Sequence, residues 1–204
     1  AAADHQPVSP PFDYSQMPDL VWLAWIVSGA GVVAFSIVRA VFPAHAVSVL
    51  RLSDSAQGII LFLMGLTQAL TAASLCLSRL WMYRPAAVGT FGLIGIIASL
   101  LYGFGTTAPV LYCAGALFGV YSGAFFFYIV FHALAHPVKS SRYIAINESV
   151  IGLMGIIGPV FGGLIADHFG FDVACVVGAS VVLSATSFQA VVHRRQAPVV
   201  VRMK

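Results

Sequence analysis

Read for apolar against polar positions, the chain alternates between six long apolar runs and short polar breaks. The runs lie at about 20–42, 57–78, 85–104, 108–135, 143–166 and 171–192. Each is close to the ~20 residues that carry a helix across a ~30 Å hydrocarbon layer. In lipid every backbone N–H and C=O must find its partner inside the segment, which a helix does. The pattern therefore predicts an all-α integral membrane fold of six transmembrane helices. Pro43, Pro85 and Gly170 punctuate the runs, and the paired Ser140 and Ser141 offer a cap for the fifth helix. Only the break around 43–56 has room for folded structure of its own.

Composition sharpens this into an exclusion. Of 204 residues 60% are hydrophobic and 8% charged, too few charges to clothe a separate soluble domain. Residues 1–19 are Pro-rich and free of Lys and Arg, and read as a disordered lead-in or a linker. They lack the basic start and apolar core of a signal peptide, and a beginning without methionine fits a segment of something longer. The expected organisation is this lead-in, a membrane domain over 20–192 and a basic tail over 193–204. Cys76, Cys113 and Cys175 sit in apolar runs and read as small buried hydrophobes.

Charge sets the expected orientation. Arg79, Arg84, Lys139, Arg142, Arg194, Arg195, Arg202 and Lys204 hold eight of the ten basic residues, and all fall in breaks on one side. The positive-inside rule makes that side cytoplasmic, with both termini there, in a plasma membrane or a bacterial inner membrane.

The fourth run carries two stripes. Gly115, Gly119 and Gly123 recur every four residues and form a face where another helix can approach closely. Tyr121, Phe125, Tyr128 and His132 form a second stripe on nearly the opposite side. Phenols and an imidazole at membrane depth suit a cavity wall, or an aromatic core with its hydroxyls satisfied by neighbours. In the first run Arg39 shares a side with Trp25, Ser28, Phe35 and Ser36. It is a fixed positive charge for an anionic solute, or a side chain snorkelling to headgroups. Thr67, Thr71, Ser74 and Ser78 in the second run read as a packing stripe, with Gln68 beside it a cavity candidate.

Glu148 is the one acidic residue well inside a predicted span, Asp172 standing at the very edge of the sixth, and projection puts Glu148 on the side of Gly152, Gly155, Gly158 and Gly162, facing protein. A buried carboxyl can load and release a proton, with His132 as partner; an ion pair with Arg142 is the plainer role. His132 and His136 share a helical face, yet two histidines make a weak case for a metal. No cofactor is expected.

The order of spans, and Gly158-Pro159-Val160-Phe161-Gly162-Gly163 in the fifth, resembles the major facilitator superfamily of secondary transporters. The stretch from Pro43 through Gly58 is similar to the first external loop of such a half. The resemblance implies one six-helix half made of two inverted three-helix repeats, with solute held between two halves. It implies that helices one and four line the cavity, two and five meet the other half, and three and six lie outside. The connector from Ser78 to Pro85 lacks the glycine and aspartate of the family's usual signature, and Met154 stands where its antiporter motif has glycine. These departures point to the carboxy-terminal half and put proton antiport in doubt.

The function expected from this reading is half of a solute transporter working by alternating access. Arg39, Gln68, Tyr121, Phe125 and Tyr128 would contact solute, and His132 with Glu148 would serve coupling or gating. Its partners would be the bilayer, a second six-helix half and a small solute, with no nucleic acid. The alternative is a non-transporting subunit of a larger membrane complex. An enzyme is not expected. The rhomboid proteases place GxSG on a fourth helix and histidine on a sixth, whereas here Gly119-Val120-Tyr121-Ser122-Gly123 is followed by a run over 171–192 without histidine.

Overall fold

A computed structural model of the chain describes residues 20–78, 81–135 and 139–200, with side chains as far as His193. Among them are six helices and no strand: α1 (Val21–Ser48), α2 (Asp54–Leu77), α3 (Pro85–Phe104), α4 (Ala108–Leu134), α5 (Ser140–Phe169) and α6 (Phe171–Val200). All six are long and apolar enough to cross a membrane. The chain is an all-helical integral membrane protein.

Several boundaries differ from the sequence reading, each for a local reason. Helix α1 does not stop at Pro43 but continues to Ser48 with the proline inside it. The turn after Pro43 is held by packing: the Phe42 ring meets Tyr102 at 4.8 Å and His45 meets Phe171 at 4.8 Å. Helix α2 begins at Asp54 because the Ser53 hydroxyl caps it, accepting from the Ala56 N–H at 3.3 Å. Ser140 and Ser141 are the first residues of α5 and not its cap, which falls at Lys139. Helix α6 runs on to Val200, so the expected tail begins as helix and brings His193 into the sixth span. Pro85 opens α3 and Gly170, at φ 99°, turns the chain between α5 and α6, as the punctuation implied.

The helices pack as two inverted repeats. α1 rests on α5 as α4 rests on α2, α1 meets α6 as α4 meets α3, and α3 pairs with α6. Exchanging α1–α3 for α4–α6 leaves these main contacts unchanged, while the lesser contacts of α5 with α4 and α6 and of α1 with α3 have no equal counterpart. Six spans joined in succession alternate in direction, so α1 and α4 run oppositely and the relation is an inversion. Helices α1 and α4 are the most buried, while α2 and α5 are largely exposed.

Glycines let the paired helices touch, from a different side in each repeat. On α4 a Cβ at Gly115 would lie 2.9 Å from the Ile60 carbonyl, and Cβ atoms at Gly119 and Gly123 would meet the Met64 and Gln68 carbonyls. The Thr67 hydroxyl uses that approach to donate to the Ala116 carbonyl at 2.8 Å. The glycine stripe and the Thr67–Thr71 stripe are thus two sides of one interface. In the equivalent α1–α5 contact the glycines belong to the Gly-Pro-x-x-Gly-Gly segment: Gly158 lies against Val33 and Ser36, and Gly162 against Ile37.

Candidate functional site

The second stripe of α4 turns into the six-helix unit. Tyr121 lies on Gly95 of α3, where a Cβ would fall 2.6 Å from its ring, and Phe125 lies on Gly31 of α1 in the same way. Phe35 of α1 completes the layer, stacked on Phe118 at 5.8 Å and edge-on to Phe125 at 6.4 Å. The Tyr128 ring meets Trp81 and the imidazole of His132, the latter at 4.5 Å. All four stripe residues are buried, with Tyr121 2% and His132 2% exposed. Tyr121, Phe125 and Tyr128 wall an apolar cavity of about 30 Å³, together with Leu75, Val88, Phe91 and Gly92. That is room for a water molecule at most.

The stripe has partners on α6 that the sequence reading left out. The Gln189 amide, 1% exposed, donates to the Tyr128 hydroxyl at 2.7 Å. The Gln189 Oε1, Tyr121 hydroxyl and Thr186 hydroxyl are buried with no hydrogen-bond partner among the described residues. His193 follows one turn beyond Gln189 and is buried as well. Thr186, Gln189 and His193 recur at +3 and +4, the same kind of signal as on α4, and it could have been read from the sequence. Tyr128→Phe is expected to cost ~1–3 kcal/mol, because it strands the whole Gln189 amide in the core. Gln189→Leu removes that amide together with its unpaired oxygen but strands the Tyr128 hydroxyl, a single group in place of the amide's two, and should cost less, ~1–2 kcal/mol. Reversible unfolding in mixed micelles measures both, and a reversed order would show that the amide has another partner.

A second buried polar group ties three helices together. Trp25 of α1 donates from Nε1 to the Asn147 Oδ1 at 2.5 Å, and the Asn147 amide donates to the Ile129 carbonyl of α4 at 3.1 Å. Nearby, the Ser28 hydroxyl donates to the Phe125 carbonyl at 3.0 Å. Asn147 is 1% exposed. Its neighbour Glu148, the residue singled out for burial, is exposed. Projection by helical angle assigned it to protein because the glycines on its side were taken as a packing face. Only Gly158 and Gly162 of that row pack; Gly152 and Gly155 have nothing within 4 Å. The structure therefore does not bring Glu148 and His132 into one buried pair.

Arg39 is exposed, and its guanidinium lies 5.7 Å from the centroid of the Phe35 ring, on the outer surface of α1. Gln68 is half-buried on α2. Neither joins the tyrosine stripe. His136 lies outside the described residues, and no cluster of three His, Cys, Asp or Glu occurs among the described ones.

With α6 extended, the sixth span does contain a histidine, so the sequence argument against a serine nucleophile needs geometry in its place. The Ser122 hydroxyl donates back to the Gly119 carbonyl at 3.1 Å. The Gln189–Tyr128 bond sets α4 and α6 level, which puts His193 ~15 Å along the axis from Ser122 at 1.5 Å per residue. A base must sit within hydrogen-bond reach of its nucleophile.

Fold and site together define a six-span membrane protein of two inverted three-helix repeats with a polar layer sealed in its core. No family model matches the chain, and no curated protein matches it.

Proposed function

We propose that this chain is one half of a secondary active transporter of the major facilitator kind, moving a small solute by alternating access. The observation that carries this reading is the inverted-repeat packing with α1 and α4 at its centre. Such repeats are how many secondary transporters arrange two conformations around one site. The exposed apolar faces of α2 (Phe62, Leu66, Leu70) and α5 (Ile156, Val160, Leu164) offer ground for a partner half. Arg39 over Phe35, with Gln68, would meet solute between the halves. Tyr121, Phe125 and Tyr128 form the packed layer behind them and would shape the site through α1 and α4. Glu148, exposed on α5, would take up coupling protons at the junction, and His132 would gate from within. The excess of Lys and Arg in the breaks on one side supports a topology with both termini in the cytoplasm, in a plasma or bacterial inner membrane.

One observation favours the second reading, a non-transporting subunit of a larger complex: the tyrosine stripe is consumed by packing inside the unit. Cross-linking separates the two. Cysteines at Leu66 and Ile156, with Cys76 and Cys113 replaced by serine, are expected to capture another six-span segment, either a second copy or a neighbour of the same kind. Reconstituted with that partner, the chain should show pH-driven uptake that Glu148→Gln abolishes without affecting insertion. Capture of proteins of other architecture would favour the subunit reading, and unchanged proton dependence would remove Glu148 from the mechanism.

A further inference from the structure

On the side away from the tyrosine layer, α5 and α6 leave α1 uncovered from Trp25 to Val33. The result is an open groove of about 810 Å³ with Gly29 and Ala30 in its floor. Val150 and Met154 of α5 form one wall, and α6 from Val177 to Phe188 forms the other. The groove offers almost nothing to a polar ligand. Its two hydroxyls are already committed, Ser180 donating to the Val176 carbonyl and Ser184 to the Ser180 carbonyl, each at 2.8 Å.

Length and edge chemistry say what does fit. At 1.5 Å per residue the α6 wall is ~16 Å long, about half of a ~30 Å hydrocarbon core. A packed helix from another protein would need a run of twice that length, whereas one leaflet's acyl chain needs no more. One end of the groove is ringed by aromatics: Trp22 lies edge-on to Phe188 at 6.2 Å, and Trp25 edge-on to Tyr143 at 5.5 Å. Trp and Tyr gather where hydrocarbon meets headgroups. Beside Tyr143, in the first turn of α5, stands the exposed Arg142. Basic residues at such a rim select anionic headgroups.

We propose that this groove holds one acyl chain of an anionic phospholipid from the leaflet at the basic end, its headgroup against Arg142. The site is independent of the transport reading, since it uses none of the residues assigned to solute.

The test uses the full chain in mixed micelles with phosphatidylglycerol carrying a photoreactive diazirine in its acyl chain. Adducts are expected to concentrate on residues 25–33 and 177–188. Unlabelled phosphatidylglycerol should displace them about fivefold better than phosphatidylcholine, as one rim arginine implies. Ser184→Phe, which fills the groove, should remove these adducts while those on exposed α2 residues such as Phe62 persist. Arg142→Gln, a surface change that leaves packing alone, should make the two competitors equal. Adducts spread evenly over the lipid-exposed helices, equal competition in the unaltered chain, persistence of groove adducts in Ser184→Phe, or cross-linking of the groove to a protein chain would each overturn the proposal.

Discussion

Asn147→Leu is expected to be the most damaging single substitution among the polar residues, lowering stability by ~2–3 kcal/mol. One hydrogen bond between membrane helices is worth ~0.6–1.7 kcal/mol. Asn147 makes two, to Trp25 and to the Ile129 carbonyl, and so joins α5 to both central helices. Leucine keeps the volume but leaves the N–H of the half-buried Trp25 without its partner, which adds part of the cost of an unsatisfied donor. A double-mutant cycle with Trp25→Phe separates the terms: removing both partners should cost less than the sum of the single changes. Denaturation in mixed micelles gives the values. A loss below ~0.5 kcal/mol for Asn147→Leu would mean that water or another group takes over both bonds, and the clasp would have no structural weight. Glu148→Gln, one residue along and exposed, should leave stability unchanged.

Gly119→Ala carries the largest effect expected of any glycine. Its Cβ would collide with the Met64 carbonyl and the Thr67 hydroxyl. Backbone cannot rotate aside as a side chain can, so α2 must withdraw from α4. The Thr67 bond to Ala116 would go with it. Overpacking typically costs ~1–3 kcal/mol, and a clash with main chain belongs at or above the top of that range. Because α2 rests chiefly on α4, the loss should appear as detachment of α2, with new protease access to its ends. Gly152→Ala and Gly155→Ala are the controls. Nothing lies within 4 Å of either position, so helix propensity alone acts, and each should be neutral or stabilise by up to ~1 kcal/mol. Equal losses at Gly119 and Gly155 would show that helix propensity, and not the α2–α4 contact, governs these sites.

The two cases mark where reading along the chain succeeds. A four-residue glycine repeat announces close approach because it needs only helical geometry and the size of a missing side chain. The Gly115–Gly123 row did find a partner helix. The Gly152–Gly162 row, spaced +3, +3 and +4, also shares a helical side, yet half of it faces outward, so repetition alone did not reveal that Asn147 and not Glu148 is the buried polar residue of α5. One position along a helix turns a side chain by ~100°, and a projection without a known partner cannot fix that angle.

What the order of residues determined by itself is the membrane character, the number of spans and the two faces of α4. Hydrophobic run length and helical period are local quantities, and lipid leaves the backbone no other way to satisfy its hydrogen bonds. Only the tertiary structure decided that the tyrosine face turns into the unit against α3 and α6, that Gln189 completes it, and that α1 continues through Pro43. Each depends on which helix packs beside which, a relation between segments distant in the chain that no window along it contains.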